Sequence, residues 1–595
     1  MNTDALLPVL IGVTGHRDIR EDAQLPVRAA VRAFFANLRQ RLPHSPIVLL
    51  SPLAEGADRL VAEVFLEQYR PEGGDRLIAP LPLPLDEYRR DFAAPESNAE
   101  FDRLRGLAQV VELPLLPGTD EGEVRAYGHV RDLHYEQVGI LVARNTHILL
   151  ALWDGLAAAG TGGTADIVRY RLRGSPAPEW SRRLHLDPPE VGPVQQIHTP
   201  RRNGTASNVP AGRSTLLLPR YWNEDPEQAE RLESLALVNS FNADARAFRA
   251  RHQDDVLRCT AYLWPDEPAL PPLRPAERHI RSVYAVADAM ALHYQKKSRR
   301  ITRQLLSVGL LVLVMGGVYS EFLPLRTSAA VYLACLVLGA VMLFIANRRG
   351  WQEKHFGYRA LAEGLRVQFF WRLAGIRQSV TDSYLRVQRE ELHGLRQALR
   401  FADLDIGDTA TSAHPWTERL RAVLLRWVTD QRSYFIGNGT GGAAARDRRT
   451  LRRVGVFQKA MLFLGIAVLV GIASLHVYRG SPLSTVWSDD NLIGRVLMIG
   501  AVLLAASAAA AAYTEILGLK EHTRAAQKMG ELYSRAESRL ADAVAGAESP
   551  TNPAQYHQHV GEARAIIHEI GLEALAENGD WVILHRDRPL EFTLG

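Results

Sequence analysis

Four long apolar segments constrain this chain more than any other feature of it. They run from about Leu305 to Phe322, Ser328 to Ala346, Val456 to Val477 and Leu492 to Tyr513. Each approaches the roughly 20 residues that cross a hydrocarbon core about 30 Å thick. In lipid such a segment must satisfy its own backbone, so each is expected to be a helix. The segments pair into two hairpins with short connecting loops, SEFLPLRTS and YRGSPLSTVWSDDN. Basic residues gather on the other side. Lys296, Lys297, Arg299, Arg300 and Arg303 precede the first hairpin, and Arg348, Arg349 and Lys354 follow it. Arg446, Arg448, Arg449, Arg452, Arg453 and Lys459 precede the second, and Lys520, Arg524 and Lys528 follow. The connecting loops hold only Arg326 and Arg479. The positive-inside rule then predicts a multi-pass protein of the inner (cytoplasmic) membrane, with both termini and the middle segment in the cytoplasm. Buried helices of a soluble protein are the alternative. The agreement of four segments in length, pairing and charge bias argues against it.

The spans carry few charges. Glu321, Arg495 and Glu515 lie near span ends, where they reach the interface. No charge sits mid-span, so neither a proton relay nor ion-coupled transport is indicated. Gly309, Gly316, Gly317, Gly339, Gly465, Gly471, Gly500 and the alanine-rich run from Ala505 to Ala512 supply small faces. Small faces let helices approach closely in lipid, which points to tight packing, including between protomers of a homo-oligomer. Alanine and glycine as mere filler is an equal alternative.

The rest of the chain divides around these hairpins. The N-terminus, MNTDALLPVLIGVTGHRD, lacks the basic and apolar regions of a signal peptide, so the first domain is expected in the cytosol. A formal net charge of +4 over 595 residues is no nucleic-acid signature. Cys259 and Cys335 make neither a disulfide framework nor a zinc pattern. Apolar strands are expected at Val9–Val13, Ile47–Leu50, Leu77–Leu81, Val110–Leu113, Thr146–Leu152 and Val194–His198, with helices such as Leu25–Leu42 and Ala57–Tyr69 between them. That alternation predicts an α/β, Rossmann-like parallel sheet, followed by an all-α membrane region. The expected divisions are residues 1–212 for the sheet domain, 213–300 for a helical linker and 301–347 for the first hairpin. A helical segment at 348–453, the second hairpin at 454–514 and a C-terminal helical segment at 515–595 follow. Further helices are expected at Glu227–Arg251, Tyr358–Gly375, Leu385–Phe401 and Leu517–Gly546, with a polar linker at Arg201–Arg213. His557, His559 and His568 fit no zinc spacing and read as solvated helix residues.

Three loops follow strands of the first domain. GVTGHRD follows the first strand and offers Gly12, Thr14, Gly15, His16 and Arg17. SPLAEGADRLVAE follows the second and offers Ser51, Ala54, Glu55 and Gly56. LWDGLAAAGTGGTADIV offers Trp153, Asp154, Gly160, Gly162, Gly163, Thr164 and Asp166. In an open parallel sheet, ligands bind beyond the carboxyl ends of the strands. A helix opened by Gly163-Thr164 would present free N–H groups to a phosphate. Gly12 and Gly15 would allow close approach, and Arg17 could grip a phosphate with two prongs. Trp153 could stack on a base and Asp154 could accept from a ribose. Core packing for Trp153 and a surface ion pair for Arg17 are the competing readings. Together the loops predict a nucleotide-type small-molecule ligand.

These loops carry a resemblance. SPLAEGADRLVAE resembles the Ser-Gly-x-Ala-x-Gly-Ile-Asp region of DprA/Smf proteins, and GTGGTADIV resembles the Pro-Gly-Gly-x-Gly-Thr helix start of LOG-type proteins. With GVTGHRD they make residues 1 to about 200 similar to the SLOG superfamily of Rossmann-like nucleotide binders. YRALAEGLRVQFFW, after a hairpin, is similar to SLATT two-helix membrane effector modules of bacterial conflict loci. The resemblance implies a cytosolic sensor of a nucleotide or NAD-derived signal that gates a membrane pore or disruption, as in anti-phage defence. LOG hydrolases place a glutamate inside the helix after Gly-Thr; here the neighbouring positions are Asp166 and Ile167. A nucleotide-cleaving hydrolase is therefore the alternative, with Asp166, Glu55 and Asp58 as its only candidate acids. A scaffold with degenerate loops is a third reading.

Overall fold

The computed structural model describes residues 5–157, 160–176, 190–204, 208–219, 235–319, 326–383, 393–403, 416–437, 441–477 and 490–586. Most of both loops connecting the expected spans falls outside these residues, as does Glu321. So do the first parts of the helices expected at Glu227–Arg251 and Leu385–Phe401.

The chain divides into two compact units. One comprises residues 1–287 and 361–419, the other residues 288–360 and 420–595. The first is built on a seven-stranded sheet. Its strands are β1 (Val9–Gly15), β2 (Ile47–Leu50), β3 (Arg76–Leu81), β4 (Gln109–Glu112), β5 (Ile148–Trp153), β6 (Val194–His198) and β7 (Ser214–Leu217). They lie in the order β4-β3-β2-β1-β5-β6-β7, all parallel except β7. β2 reads IVLL and β5 reads ILLALW, and nearly every residue of both is buried. Unbroken apolar runs are what a parallel strand covered on both faces requires. The edge strand β4, QVVE, buries only Val111. β7 covers the opposite edge, and it lies within what the sequence marks as the start of a helical linker.

The chain lays β2, β3 and β4 to one side of β1, then crosses to lay β5 and β6 on the other. The order therefore reverses between β1 and β5, and the crevice beyond their carboxyl ends is the topological switch point of the sheet. Helices α1 (Gln24–Arg41), α2 (Ala57–Glu67), α3 (Leu85–Arg89), α4 (Pro95–Arg105), α5 (Glu121–Arg125), α6 (His129–Asn145) and α7 (Thr164–Arg173) connect the strands. Phe35 of α1 meets Phe65 of α2 with ring centroids 5.4 Å apart. Gly139 lets α6 and α7 close together: a Cβ there would fall 2.3 Å from Ile167 Cδ1.

Beyond β7 the described chain is helical. It continues as α8 (Ala236–Arg249), α9 (Gln253–Leu263), α10 (Pro275–Gly317), α11 (Arg326–Arg349), α12 (Trp351–Leu373), α13 (Val380–Ser383), α14 (His393–Leu399), α15 (Trp416–Val423) and α16 (Asp430–Ile436). It ends in α17 (Ala443–Val477), α18 (Asp490–Ile516), α19 (Leu519–Glu548) and α20 (Pro553–Arg586). Four helices are long and apolar enough to cross a membrane, within α10, α11, α17 and α18. Phe344, Leu333, Phe463 and Val470 stand out from them exposed, as side chains facing lipid rather than water do. This is a membrane protein.

Small residues bring the spans together within one chain. A Cβ on Gly465 would lie 3.3 Å from the Gly500 carbonyl oxygen and 2.9 Å from Leu504. Gly317 accommodates Met498 in the same way, so the two hairpins touch, while Gly309 and Gly471 face open space. Ser507 Oγ donates to the Gln458 carbonyl at 3.0 Å. In the same unit α19 and α20 pair along Tyr533, Leu540, Ala563 and Ile567, all buried. Trp581 of α20 donates to His522 Nε2 at 2.8 Å and stands edge-on to His355 and Phe356.

Candidate ligand site at the carboxyl edge of the sheet

The first two loops close on each other. The Ala57 N–H donates to the His16 carbonyl at 3.0 Å, and the His16 N–H to the Leu152 carbonyl at 3.1 Å. Gly56 has φ +80°, and a Cβ on it would lie 2.3 Å from the Arg17 carbonyl oxygen. A Cβ on Gly15 would lie 2.3 Å from Ala57 Cβ, and one on Gly12 would lie 2.6 Å from Val142 and Thr146. These three glycines admit the protein's own neighbours, where the sequence had Gly12 and Gly15 admit a ligand. The third loop differs. Gly160 has open space around it, while Gly162, at φ +74°, lies against the Glu136 backbone. Ala158 and Ala159 lie outside the described residues.

At the switch point itself sits a compact polar group. The Asp154 N–H donates to His16 Nε2 at 3.1 Å, and Arg201 Nε approaches the same nitrogen at 3.3 Å. Asp154 Oδ1 also lies 3.1 Å from Nε2, so this one nitrogen faces two donors and a carboxylate oxygen. Burial lowers the His16 pKa against the pull of Asp154, and Arg201 lowers it further. Asp154 accepts from the Leu156 N–H at 3.0 Å and lies 3.3 Å from Arg201 Nε. Its carboxylate shapes the loop instead of standing open for a ribose. Trp153 likewise turns its indole N–H to the Leu156 carbonyl at 2.8 Å. On the next strand His198 is buried with Nε2 unpartnered, and burial lowers its pKa.

Beside this group, over β2 and β3, acids converge with Arg17 and Arg59. Ser51 is fully buried and donates to the Asp58 carbonyl at 3.1 Å, so its hydroxyl holds the loop. Leu53 next to it has φ +60°, the only such non-glycine among the described residues. The Ala54 N–H donates to Asp58 Oδ2 at 3.3 Å. Burial pushes the Asp58 carboxyl up to about 7, against the nearby Arg17 and Arg59 charges. Glu55 accepts from Ser97 Oγ. Arg17 is exposed, its guanidinium 5.2 Å from the Tyr135 ring centroid and without a hydrogen bond or ion pair among the described residues.

The head of α7 completes the edge. Gly163 is its N-cap, without a side-chain cap. The N–H groups of Thr164 and Ala165 meet no acceptor among the described residues. Together with the helix dipole they suit an anion. Asp166, three residues in, pairs with Arg169 at 2.8 Å. Thr14 and Thr164 are half-buried.

No family model and no curated protein matches this sequence. Among the described residues no group of three His, Cys, Asp or Glu side chains could hold a metal. The structure adds Asp91, Tyr135, His198 and Arg201 to the residues that the sequence singles out. The signal for the last two was present, because QQIHTPRR spans the carboxyl end of β6. Asp91 and Tyr135 carry no pattern and are brought in by α3 and α6.

Proposed function

We propose that the protein is a membrane-embedded receptor whose sheet unit binds a nucleotide-type small molecule at the β1/β5 switch point. In this reading the ligand's phosphate rests on the head of α7, within reach of Arg17. The bound state favours one arrangement of the membrane helices in a homo-oligomer of the inner membrane, opening a pore or perturbing the bilayer. The ligand must bind that arrangement more tightly than the other to have this effect. Both chain ends are cytoplasmic in this reading, as the flanking charge indicates. The observation that carries the proposal is the open pair of N–H groups on α7 at the reversal point of a parallel sheet, in a chain with four membrane-length helices.

The test is to denature detergent-purified protein and identify the released small molecules by mass spectrometry. A nucleotide present in wild type and missing from Gly163→Trp is the expected result, followed by nucleotide-dependent ion flux in liposomes. An empty site together with no thermal shift from NAD-derived or cyclic nucleotides would end the receptor reading. A nucleotide-cleaving hydrolase has one observation in its favour, the Asp58 carboxyl poised near neutrality. Asp166 is less suited, being paired with Arg169. Turnover that disappears in Asp58→Asn would select the hydrolase.

A further inference from the structure

Three polar groups near Arg17 are buried with hydrogen-bonding capacity that the fold does not fill. Asp91 pairs through Oδ1 with Arg131 at 2.6 Å, but its Oδ2 is buried and unpartnered, and the side chain is only 4% exposed. The Tyr135 hydroxyl is buried and also has no partner. Asp58 has a single long contact to its carboxylate, from the Ala54 N–H at 3.3 Å. All three lie about Tyr88, whose hydroxyl donates to the Pro52 carbonyl at 3.2 Å and whose carbonyl accepts from the Asp91 N–H at 3.1 Å. Arg17 stacks on Tyr135 and exerts its charge on both Asp58 and Asp91. Tyr88 lies within range of Asp58, Arg17 and Asp91 alike, with its ring centroid 6.3 Å from that of Tyr135.

A buried carboxylate oxygen without a donor is costly, so a donor is what this place lacks. A phosphate brings only acceptors and would meet Glu55, Asp58 and Asp91. A metal lacks a ligand set among the described residues. A neutral group with two adjacent hydroxyls supplies donors to Asp58 and Asp91 and either role to Tyr135. We infer that Asp58, Asp91 and Tyr135 form a subsite for the vicinal hydroxyls of a ribosyl group, beside the anion cradle on α7. This rests on the nucleotide reading and deepens it: the ligand's acceptor-rich end lies on α7 and its donor-rich end on the acids. Exocyclic amines of a base offer similar donors, and the test separates the two.

The full-length protein in detergent is titrated by calorimetry with AMP, GMP, the 2′,3′-dideoxy form of each, and inorganic phosphate. The ribose forms are expected to bind about tenfold tighter than the dideoxy forms for both bases, as a site built for a hydroxyl discriminates against its loss. Tyr135→Phe is expected to narrow that ratio to about threefold or less and leave phosphate affinity unchanged. The substitution keeps the ring beneath Arg17 and removes only an unpartnered hydroxyl. Equal binding of ribose and dideoxy forms overturns the subsite and leaves the nucleotide reading standing. So does a ribose preference that Tyr135→Phe does not touch, and so does a base preference that Tyr135→Phe abolishes while the sugar makes no difference. No binding by any nucleotide overturns both.

Discussion

The two ends of the sheet are built to opposite rules. At the amino end the buried acids, amide and imidazole are matched to structural partners, and the atoms left over there include guanidinium nitrogens, Arg39 Nε, Arg144 Nη1 and Arg171 Nε. Asn242, fully buried, accepts from the Leu7 N–H and donates to the Leu7 carbonyl and to Ser45 Oγ. Asp75 takes the Ile47 and Arg70 N–H groups and pairs with Arg39. His147 accepts from the Leu10 N–H and spans to the Gln397 carbonyl. Glu190 holds both Arg396 and Arg400. Arg171 bonds the Ala143 and His147 carbonyls, and burial followed by Arg400 pushes its pKa down. At the carboxyl end a carboxylate oxygen, a phenol and an imidazole nitrogen are left unmatched, a leucine is held at positive φ, and an aspartate is buried against its charge. One end is spent on stability and the other withholds it, as sites kept for ligands do.

The contrast can be broken at its strongest point. Glu190→Ala leaves Arg396 and Arg400 buried without their shared carboxylate and removes the nearby negative charge from Arg171. Loss of one partner of a buried ion pair costs about 3–5 kcal/mol. Hydrogen exchange in β5 and β6 should rise accordingly, and unchanged protection would mean the amino end is not the stable one. The opposite sign is expected from Asp58→Asn. The Asp58 carboxyl ionises near pH 7 in the fold and near 3.8 when unfolded, so folding favours its protonated form. Its contribution is complete below pH 3.8 and is lost as pH rises to about 7, by up to about 4 kcal/mol. Asn escapes that loss, so the variant should be more stable than wild type at pH 8 and indistinguishable at pH 4 by chemical denaturation of the sheet unit. A destabilised variant at pH 8 would place Asp58 among structural groups. A smaller effect sharpens the picture: Asn242→Ala orphans the Leu7 amide and carbonyl and should cost about 2 kcal/mol at either pH.

The membrane helices were legible because the bilayer fixes their length whatever they pack against. β2 and β6 were legible to the residue, since each is a short run between turn formers. β7 was hidden because STLL is brief, half-polar and antiparallel, and its pairing with β6 is a tertiary fact. Glycines misled for a physical reason. Sequence marks where a Cβ is forbidden, and the molecule decides what fills the space: Val142 and Thr146 at Gly12, Ala57 at Gly15, Leu504 at Gly465. The loop polar residues were found as a set, but their duties were not. Ser51, Asp154 and Asp166 are engaged by their own neighbours, and the open groups are Arg17 and the first N–H groups of α7.

α7 has ten residues, about 15 Å of rigid helix. Its tail is fixed: Arg171 is tied to Ala143 and His147, and Gly192 lies so close that a Cβ there would strike the guanidinium at 1.8 Å. Its head hangs on glycines and two unclaimed amides. A rod pinned at one end cannot slide; it can only swing. An inward displacement of the head by about 2 Å would tilt the rod by roughly 11° about Arg171, seven residues or about 10.5 Å away. Such a tilt would press Ile167 on α6 at Gly139, where a Cβ would already fall 2.3 Å from Ile167 Cδ1.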